Sequence, residues 1–216
     1  MIAIVNYGMG NLRSVQKALE RVGAQAEIVE TPEQIESAER LILPGVGAFA
    51  DGMTHLRERG LVEPLMQFAA SGKPLMGICL GMQLLFDSSM EDAPSPDEPV
   101  QGLGILPGNV VRFQEDQGPD KPRLKVPHMG WNEINFAADT PLFVGLSPGD
   151  HVYFVHGYYC VPNDDSDVAA TTDYGHTYCS AVHRGNVWAT QFHPEKSQHV
   201  GLRILENFAS AELVHG

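Results

Sequence analysis

The clearest candidate for chemistry is a cysteine between two glycines, in Gly77-Ile78-Cys79-Leu80-Gly81. An apolar run from Leu75 precedes it and a helical pattern follows, so the cysteine falls at a turn from strand to helix. In this thiol form of the nucleophile elbow, small flanking residues let neighbouring backbone come close, and the sulfur stands clear of the sheet. The following helix stabilises the thiolate with its N-terminus, and the backbone N–H of Leu80 is free to meet an oxyanion. We therefore predict that Cys79 is a nucleophile in acyl transfer.

The other two cysteines, Cys160 and Cys179, lack flanking glycines and are predicted to be buried in the core. The total of three is odd, and no two cysteines have C-x-x-C spacing, which argues against a disulfide framework. Reduced thiols are typical of the cytosol, so we expect a cytoplasmic protein.

A cysteine nucleophile needs a base, because a free thiol is mostly protonated at neutral pH. Among nine histidines, His193 follows the apolar run 187–192 and so lies at a strand end, as Cys79 does. Glu195, two residues further on, can accept the other ring N–H and hold the tautomer and tilt of the imidazole. The sequence therefore predicts a Cys79–His193–Glu195 triad. Competing histidines are His128, His156 and His183.

Acyl transfer also needs a second donor to the oxyanion. The glycine-rich Pro44-Gly45-Val46-Gly47 is the candidate, because it follows a neighbouring predicted strand at 41–43. The alternative, which remains open for either glycine, is an ordinary turn at the end of a strand.

The elements that must position these residues alternate between strand and helix in the first half of the chain. Strands are predicted at 2–5, 26–29, 41–43 and 75–79. One helix is predicted to begin at Asn11 and another at Thr31, each residue acting as the cap, and two more are predicted at 62–70 and 80–86. Such alternation favours parallel pairing, with the functional crevice beyond the carboxyl ends of the strands. Both candidate loops, 44–47 and 79–81, follow strand ends and are expected at that edge.

The second half of the chain contains more strands. They are predicted at 109–113, 131–136, 152–155, 158–161, 168–172, 178–182 and 187–191, before a last helix at about 198–209. The acidic, proline-containing segment 87–99 predicts a mobile surface loop, and 114–123 a polar hairpin tip. The expected fold is α/β: a single domain over residues 1–216, with a central, mostly parallel mixed sheet flanked by helices and additional antiparallel strands in the second half.

Composition excludes several classes of protein. The formal net charge of −13 argues against nucleic acid as a general partner. The N-terminus does not resemble a signal peptide, and no apolar run approaches the roughly 20 residues of a membrane span, so we expect no membrane partner. The histidines lack a metal-ligand spacing such as H-E-x-x-H, and we expect neither a metal nor a cofactor. Gly8-Met9-Gly10 does not complete a dinucleotide motif, because Arg13 occupies the third glycine position.

Three motifs resemble those of the class I, triad-type glutamine amidotransferases, and they occur in that family's order. They are PGVGAF at 44–49, GICLGMQ at 77–83 and QFHPEKS at 191–197. Further segments are similar to the glutaminase subunits of imidazole glycerol phosphate synthase, in histidine biosynthesis: NYGMGN at 6–11, VPHMGWN at 126–132 and YFVHGYY at 153–159.

The resemblance implies that Cys79 attacks the side-chain amide of L-glutamine to give ammonia and a glutamyl thioester, while His193 shuttles the proton. Gly47 and Gln83 match positions that hold the glutamine. The backbone of Gly157 and Tyr158 would meet its α-amino and α-carboxylate groups. Relatives carry Ser or Thr at position 157, and glycine there keeps only a backbone role. The Val46 peptide, which reorients in this subfamily when the partner is loaded, would be the second oxyanion donor beside Leu80.

The resemblance also implies a heterodimer with a cyclase subunit, which consumes the ammonia. Five residues match the face towards that cyclase: Asn11, Met129, Trp131, Tyr153 and Lys196. For Trp131, the residues alone leave core packing and partner contact equally open. The alternatives are a glutaminase subunit of another synthase, a free-standing γ-glutamyl hydrolase, a catalytically silent module of this fold and a nucleotide-binding α/β domain. A silent module predicts a missing triad member, and none is missing.

Overall fold

The computed structural model describes residues 1–93, 95, 97–119, 122–137 and 140–211. Strands and helices alternate as far as residue 84, except that two helices separate the third strand from the fourth. The strands are β1 (Ile2–Val5), β2 (Ala26–Val29), β3 (Arg40–Gly45), β4 (Leu75–Cys79), β5 (Phe86–Ser89), β6 (Val100–Gln101), β7 (Leu106–Arg112), β8 (His128–Glu133), β9 (Asn135–Phe136), β10 (His151–His156), β11 (Tyr158–Pro162), β12 (Val168–Asp173), β13 (Thr177–Arg184) and β14 (Val187–Thr190). The α-helices are α1 (Leu12–Arg21), α2 (Pro32–Ser37), α3 (Phe49–Glu58), α4 (Val62–Ala70), α5 (Leu80–Leu84) and α6 (Gln198–Ser210). Short 3₁₀ turns occupy Pro141–Phe143, Asp165–Asp167 and Pro194–Lys196.

Most of the strands form one mixed sheet in the order β2-β1-β3-β4-β14-β13-β11-β7-β5-β6. The pairs from β2 to β14 along this order are all parallel. Beyond β14 the strands turn antiparallel through β13, β11 and β7, and β12 joins the edge of β13. This arrangement confirms the predicted α/β fold with a mixed sheet and additional antiparallel strands in the second half.

Helices cover both faces of the parallel strands, so successive strand residues are buried on opposite sides. In β1, Ala3 and Val5 pack into the core beneath α2, α3, α4 and α5, while Ile2 and Ile4 pack into the core beneath α1 and α6. Each fully buried Ile or Leu contributes about 1.5–3 kcal/mol relative to exposure, which is why these strands read as continuous apolar runs. Within the described ranges, no helix combines the length and apolarity that crossing a membrane requires.

Of the two residues predicted to cap helices, Thr31 and Asn11, only Thr31 makes the side-chain cap. At α2, the Thr31 hydroxyl accepts from the Gln34 N–H and the Gln34 side chain accepts from the Thr31 N–H, which completes a capping box before Pro32. At α1, Asn11 occupies the cap position, but its side chain makes no capping hydrogen bond to the first turn that the structure describes. The expectation of an Asn11 side-chain cap is therefore wrong.

The segment after the elbow also differs from prediction. The helix expected to reach Phe86 ends at Leu84, and β5 occupies Phe86–Ser89, which was expected to lie partly in a surface loop. The strand forms because it pairs in parallel with β7 and buries Ser89. The sequence also did not indicate α3. Of the two predicted polar segments, residues 94 and 96 of the first and 120 and 121 of the second lie outside the described residues.

A separate ribbon of two antiparallel strands, β8 and β10, packs beside the sheet. Its register sets Trp131 opposite Tyr153 and His128 opposite His156. Because side chains alternate across a strand, one face of the ribbon carries Met129 and Trp131 and the other carries His128.

The turn at the end of β4 is crowded enough to require glycine. A Cβ at Gly81 would overlap the carbonyl oxygen of Leu43 in β3, and a Cβ at Gly77 would lie 2.8 Å from Met82 Cα. Real Cβ atoms do not approach backbone so closely. The G-x-C-x-G pattern is therefore a steric requirement of three chain segments meeting at one point.

We predict that Gly81→Ala destabilises the protein by about 3 kcal/mol or more, because the overlapping atom belongs to backbone that cannot move aside. Gly157→Ala is the matched control, since its nearest contact, Val126 Cγ1 at 3.6 Å, is an ordinary one. That variant should change stability by less than about 1 kcal/mol. Denaturant unfolding of both variants checks this, and similar midpoints would contradict it.

Candidate active site

Cys79 lies at the last position of β4 with φ 53° and ψ −110°, a conformation that non-glycine residues rarely adopt. Such a residue costs on the order of 1–3 kcal/mol and persists only where its surroundings fix it. Here β3 and β14 pair with β4 on both sides, and Gly45 is in register with Cys79. The structure therefore holds the strained turn that the sequence predicts for a nucleophile.

A buried pair of amides surrounds the sulfur. Gln83 Nε2 donates to the carbonyl oxygen of Tyr158 and to Gln191 Oε1, both at 3.1 Å. Because Gln191 Oε1 accepts this bond, its Nε2 must be the group that faces Cys79 Sγ, at 3.7 Å. Gln191 belongs to the QFHPEKS motif, but its role cannot be predicted from the sequence, because nothing in the pattern distinguishes it from an ordinary strand residue.

His193 is held in one orientation by its neighbours. Its Nδ1 lies 2.8 Å from Glu195 Oε1, and both side chains are buried. Its backbone N–H donates to the Tyr153 carbonyl, and the Ser197 hydroxyl donates to the His193 carbonyl. The carboxylate accepts the Nδ1 proton, which leaves Nε2 as the nitrogen that lines the cavity beside Cys79. Nε2 is buried and has no hydrogen-bond partner among the described residues.

The pKa of His193 results from opposing effects. Burial disfavours the imidazolium and would lower the pKa, but the facing Cys79 and the Glu195 carboxylate stabilise the charge and outweigh burial. The net effect of these opposing influences is to raise the pKa of His193 from 6.5 to about 10. His193 therefore carries a proton at neutral pH and can give it to a leaving group.

A cavity of about 180 Å³ opens over the sulfur. The structure brings together in its wall all the predicted nucleophile, base, oxyanion and substrate residues except Glu195, which lies behind His193. The lining residues are Val46, Gly47, Cys79, Leu80, Gln83, Glu91, Val155, His156, Gly157, Tyr158 and His193. Their geometry is that of a small pocket above a strained thiol, and the roles assigned to them individually remain predictions.

Glu91 is a wall residue that sequence reasoning missed. It was placed in the acidic loop at 87–99 and given no function, since nothing in the pattern separates it from its acidic neighbours. Its Oε2 accepts from the backbone N–H of Phe49 at 2.8 Å. Burial raises its pKa, and the Phe49 N–H opposes that shift. A half-buried carboxylate at the cavity wall can pair with an ammonium group.

The five residues expected to face a partner lie on or beside the ribbon. Met129 and Trp131 are 63 % and 46 % exposed, so Trp131 is not a core residue. Trp131 packs edge-on against Tyr153, and the Lys196 ammonium lies 5.9 Å from the centre of the Tyr153 ring. Asn11 precedes α1, which packs against the turn Pro194–Lys196. Exposed aromatic and apolar side chains grouped in this way are typical of interaction surfaces, and the partner contact at this one remains a prediction.

Several known proteins are similar to this chain in sequence or in fold. The family model described as glutamine amidotransferase class-I matches residues 3–211. Subunit HisH of imidazole glycerol phosphate synthase from Syntrophotalea carbinolica is 57 % identical, over 96 % of this chain and 98 % of that protein. The subunit of the same name from Rhodopirellula baltica is 53 % identical, over 98 % of each. The solved structure of PurLQS from Thermotoga maritima has the same fold, with a TM-score of 0.72 at 24 % identity over 96 % of each chain. The chain therefore belongs to the class I glutamine amidotransferase family, and within it to the HisH subunits of imidazole glycerol phosphate synthase.

Proposed function

We propose that this chain hydrolyses glutamine through a glutamyl thioester on Cys79 and passes the ammonia to the cyclase subunit of imidazole glycerol phosphate synthase. The observation that carries the proposal is the strained Cys79 turn in one small cavity with the buried His193–Glu195 pair. The relatives named HisH support the assignment to this synthase.

The chemistry begins with attack of the Cys79 sulfur on the side-chain amide carbon of glutamine, which forms a C–S bond and moves charge to oxygen. Leu80 and Val46 would donate their N–H groups to that oxyanion. As the intermediate collapses, the C–N bond breaks, and His193 gives its proton to the leaving nitrogen so that ammonia departs. Water then adds to the thioester and returns a proton to His193, and glutamate leaves as the C–S bond breaks.

The backbone of Gly157 and Tyr158 is suited to hold the glutamine end groups. The Gly157 carbonyl accepts from the Phe113 N–H at 3.1 Å, so the Tyr158 N–H, on the opposite side of the same planar peptide, points away from β7. It can then donate to the α-carboxylate of the substrate. Glu91 would pair with the α-ammonium group. Gly47 and Gln83 complete the predicted contacts.

The partner would dock on the face that carries Asn11, Met129, Trp131, Tyr153 and Lys196. Tyr153 is bonded through its backbone to the segment that carries the base: its carbonyl accepts from the His193 N–H, and its N–H donates to the Ser197 hydroxyl. A cyclase that displaces Tyr153 would therefore move the base. Ammonia passed to the cyclase would yield imidazole glycerol phosphate and an aminoimidazole carboxamide ribotide.

We further propose that one amidotransferase domain spans residues 1–216 and pairs one-to-one with the cyclase in the cytoplasm, with no nucleic-acid or membrane partner. The cytoplasm suits a thiol nucleophile that must stay reduced, and all three cysteines are free.

We predict that glutamate release from glutamine is slow for the isolated chain and rises strongly when the cyclase and its ribotide substrate are added. The physical reason is that partner binding completes the oxyanion site at Val46 and shifts the population of active protein. The measurement is steady-state glutamate formation with and without the loaded cyclase. Equal rates in both conditions would contradict the assignment to this synthase and favour a free-standing hydrolase.

Two variants control this experiment. Cys79→Ala should abolish glutamate release, yet the complex should still form its products when ammonium replaces glutamine. Cys160→Ala, which removes another buried thiol, should keep glutaminase activity.

We predict that Glu195→Gln lowers the pKa of His193 from about 10, because it removes one of the groups that raise it while burial continues to lower it. The variant should lose less activity than His193→Ala, since Glu195 orients the base and does not carry the transferred proton. NMR titration of ¹³C-labelled histidine checks the pKa. Glu206→Gln, in the C-terminal half of α6, is the control. An unchanged His193 titration in Glu195→Gln would refute the prediction.

A further inference from the structure

A second group of buried titratable side chains adjoins the cavity, which one of its members, His156, lines, and the hydrolysis described above does not use it. It consists of His128 on β8, His156 on β10 and Tyr178 on β13, all buried. His128 Nδ1 lies 3.3 Å from His156 Nε2 and 3.1 Å from Tyr178 Oη, and His156 Nε2 lies 3.2 Å from the same hydroxyl. These contacts form one connected hydrogen-bond network, which we call the histidine relay.

The contacts of Asn132 fix the tautomer of His128. Asn132 Oδ1 accepts from the Glu133 N–H at 2.8 Å, and Nδ2 donates to the Asp173 carbonyl at 2.9 Å, so the amide has one orientation. The same Nδ2 lies 3.3 Å from His128 Nε2, which must therefore be an acceptor. The proton of neutral His128 is on Nδ1. Phe154 and Tyr174 stack on the two faces of the ring, at 4.7 and 3.9 Å between centroids, and hold its plane.

The other end of the relay fixes the tautomer of His156. Its Nδ1 lies 2.7 Å from the Tyr158 carbonyl oxygen, which can only accept, so Nδ1 carries the proton. His156 Nε2 is then an acceptor. Two of the contacts then form donor–acceptor pairs when His128 Nδ1–H donates to Tyr178 Oη and the Tyr178 hydroxyl donates to His156 Nε2.

The relay ends on the segment that would hold the substrate. The Tyr158 carbonyl accepts from His156 Nδ1 and from Gln83 Nε2, so both its lone pairs are engaged. The Gly157 carbonyl is engaged by the Phe113 N–H. These bonds anchor the peptides on both sides of the Tyr158 Cα, and so fix the direction of the Tyr158 N–H, which lies opposite the Gly157 carbonyl in the same planar peptide. Glycine at 157 has no side chain to help, so this orientation depends on the bonds to its neighbours.

We propose that His156 is a positioning residue for glutamine binding: it donates from Nδ1 to the Tyr158 carbonyl, in a tautomer that the hydrogen bonds of Asn132, His128 and Tyr178 support. This inference rests on the proposed glutaminase function. The residues of the histidine relay touch no reacting atom, and they would act on glutamine binding through the 157–158 backbone. Since β8 also carries the exposed Met129 and Trp131, the relay joins the strand expected to face the cyclase to the segment that holds the substrate.

The burial of His128 and His156 is consistent with neutral imidazole rings. It lowers the pKa of His128 to about 4 and that of His156 to about 3, although the Tyr158 carbonyl partly opposes the shift at His156. Both residues are thus uncharged near neutral pH, and each has a single proton to place.

The kinetic test compares two amides at position 156 in the complex with the loaded cyclase. His156→Gln places its amide near the original Nε2 and loses the donor to Tyr158, so KM for glutamine should rise roughly three- to tenfold, the range expected for one lost buried hydrogen bond. His156→Asn keeps a donor near Nδ1 and should restore most of the KM. Tyr178→Phe should raise KM in the same direction, whereas Tyr159→Phe, a neighbouring ring outside the relay, should not.

A merely structural role predicts a different pattern. Loss of folded protein lowers apparent kcat and leaves KM unchanged, and it would not distinguish His156→Asn from His156→Gln. Unchanged KM in His156→Gln, or equal KM in the two variants, would overturn the proposal.

A second measurement does not depend on activity. In ¹⁵N-histidine-labelled wild-type protein at pH 7, ring ¹⁵N shifts should report neutral Nδ1–H tautomers at both His128 and His156, assigned with His128→Gln and His156→Asn. An Nε2–H tautomer or an imidazolium at His156 would overturn the relay. If the tautomers are as proposed but wild-type complex releases no glutamate from glutamine, the relay stands and the proposed function fails.

Discussion

The site depends on the close approach of three backbone segments at the end of β4. The carbonyl of Leu43 in β3 meets the chain at Gly81, and Met82 in α5 meets it at Gly77, leaving no room for a Cβ at either glycine. Cys79 is held between them in a conformation that L-residues avoid. The two flanking strands supply the fixed frame, and the strain of the turn directs the sulfur away from the sheet and into the cavity. The same packing that stabilises the parallel sheet therefore places the nucleophile at the cavity.

The antiparallel second half of the chain brings the remaining groups to that point. β14 continues into the His193–Glu195 segment, and the ribbon holds that segment through the Tyr153 backbone. Gln83 links the Tyr158 carbonyl to Gln191, and Gln191 contacts the sulfur. The substrate segment and the nucleophile thus belong to one buried hydrogen-bond network, in which unpaired groups would be costly. A partner bound at Tyr153 would act on the segment that carries the base.

Local patterns in the sequence predicted what depends on local chemistry. The elbow at Cys79, the strand end at His193 and the cap at Thr31 are each specified by a few adjacent residues, and the structure has the predicted geometry at all three. The roles of Gln191 and Glu91 do not follow from the sequence because their partners, Gln83 and Phe49, lie on segments far away in the chain that no periodicity reveals. β5 was misjudged because its pairing with β7, not its own residues, makes it a strand. Asn11 occupies the predicted cap position, yet its side chain makes no cap.

The central claim is that Cys79 carries the acyl intermediate, and trapping that intermediate tests it most directly. The complex with loaded cyclase would be quenched in acid during glutamine turnover and its peptides analysed by mass spectrometry. The account predicts the added mass of a glutamyl group on the peptide that contains Cys79, and none on the peptides of Cys160 and Cys179. Turnover with no adduct at Cys79, or an adduct at another cysteine, would contradict it.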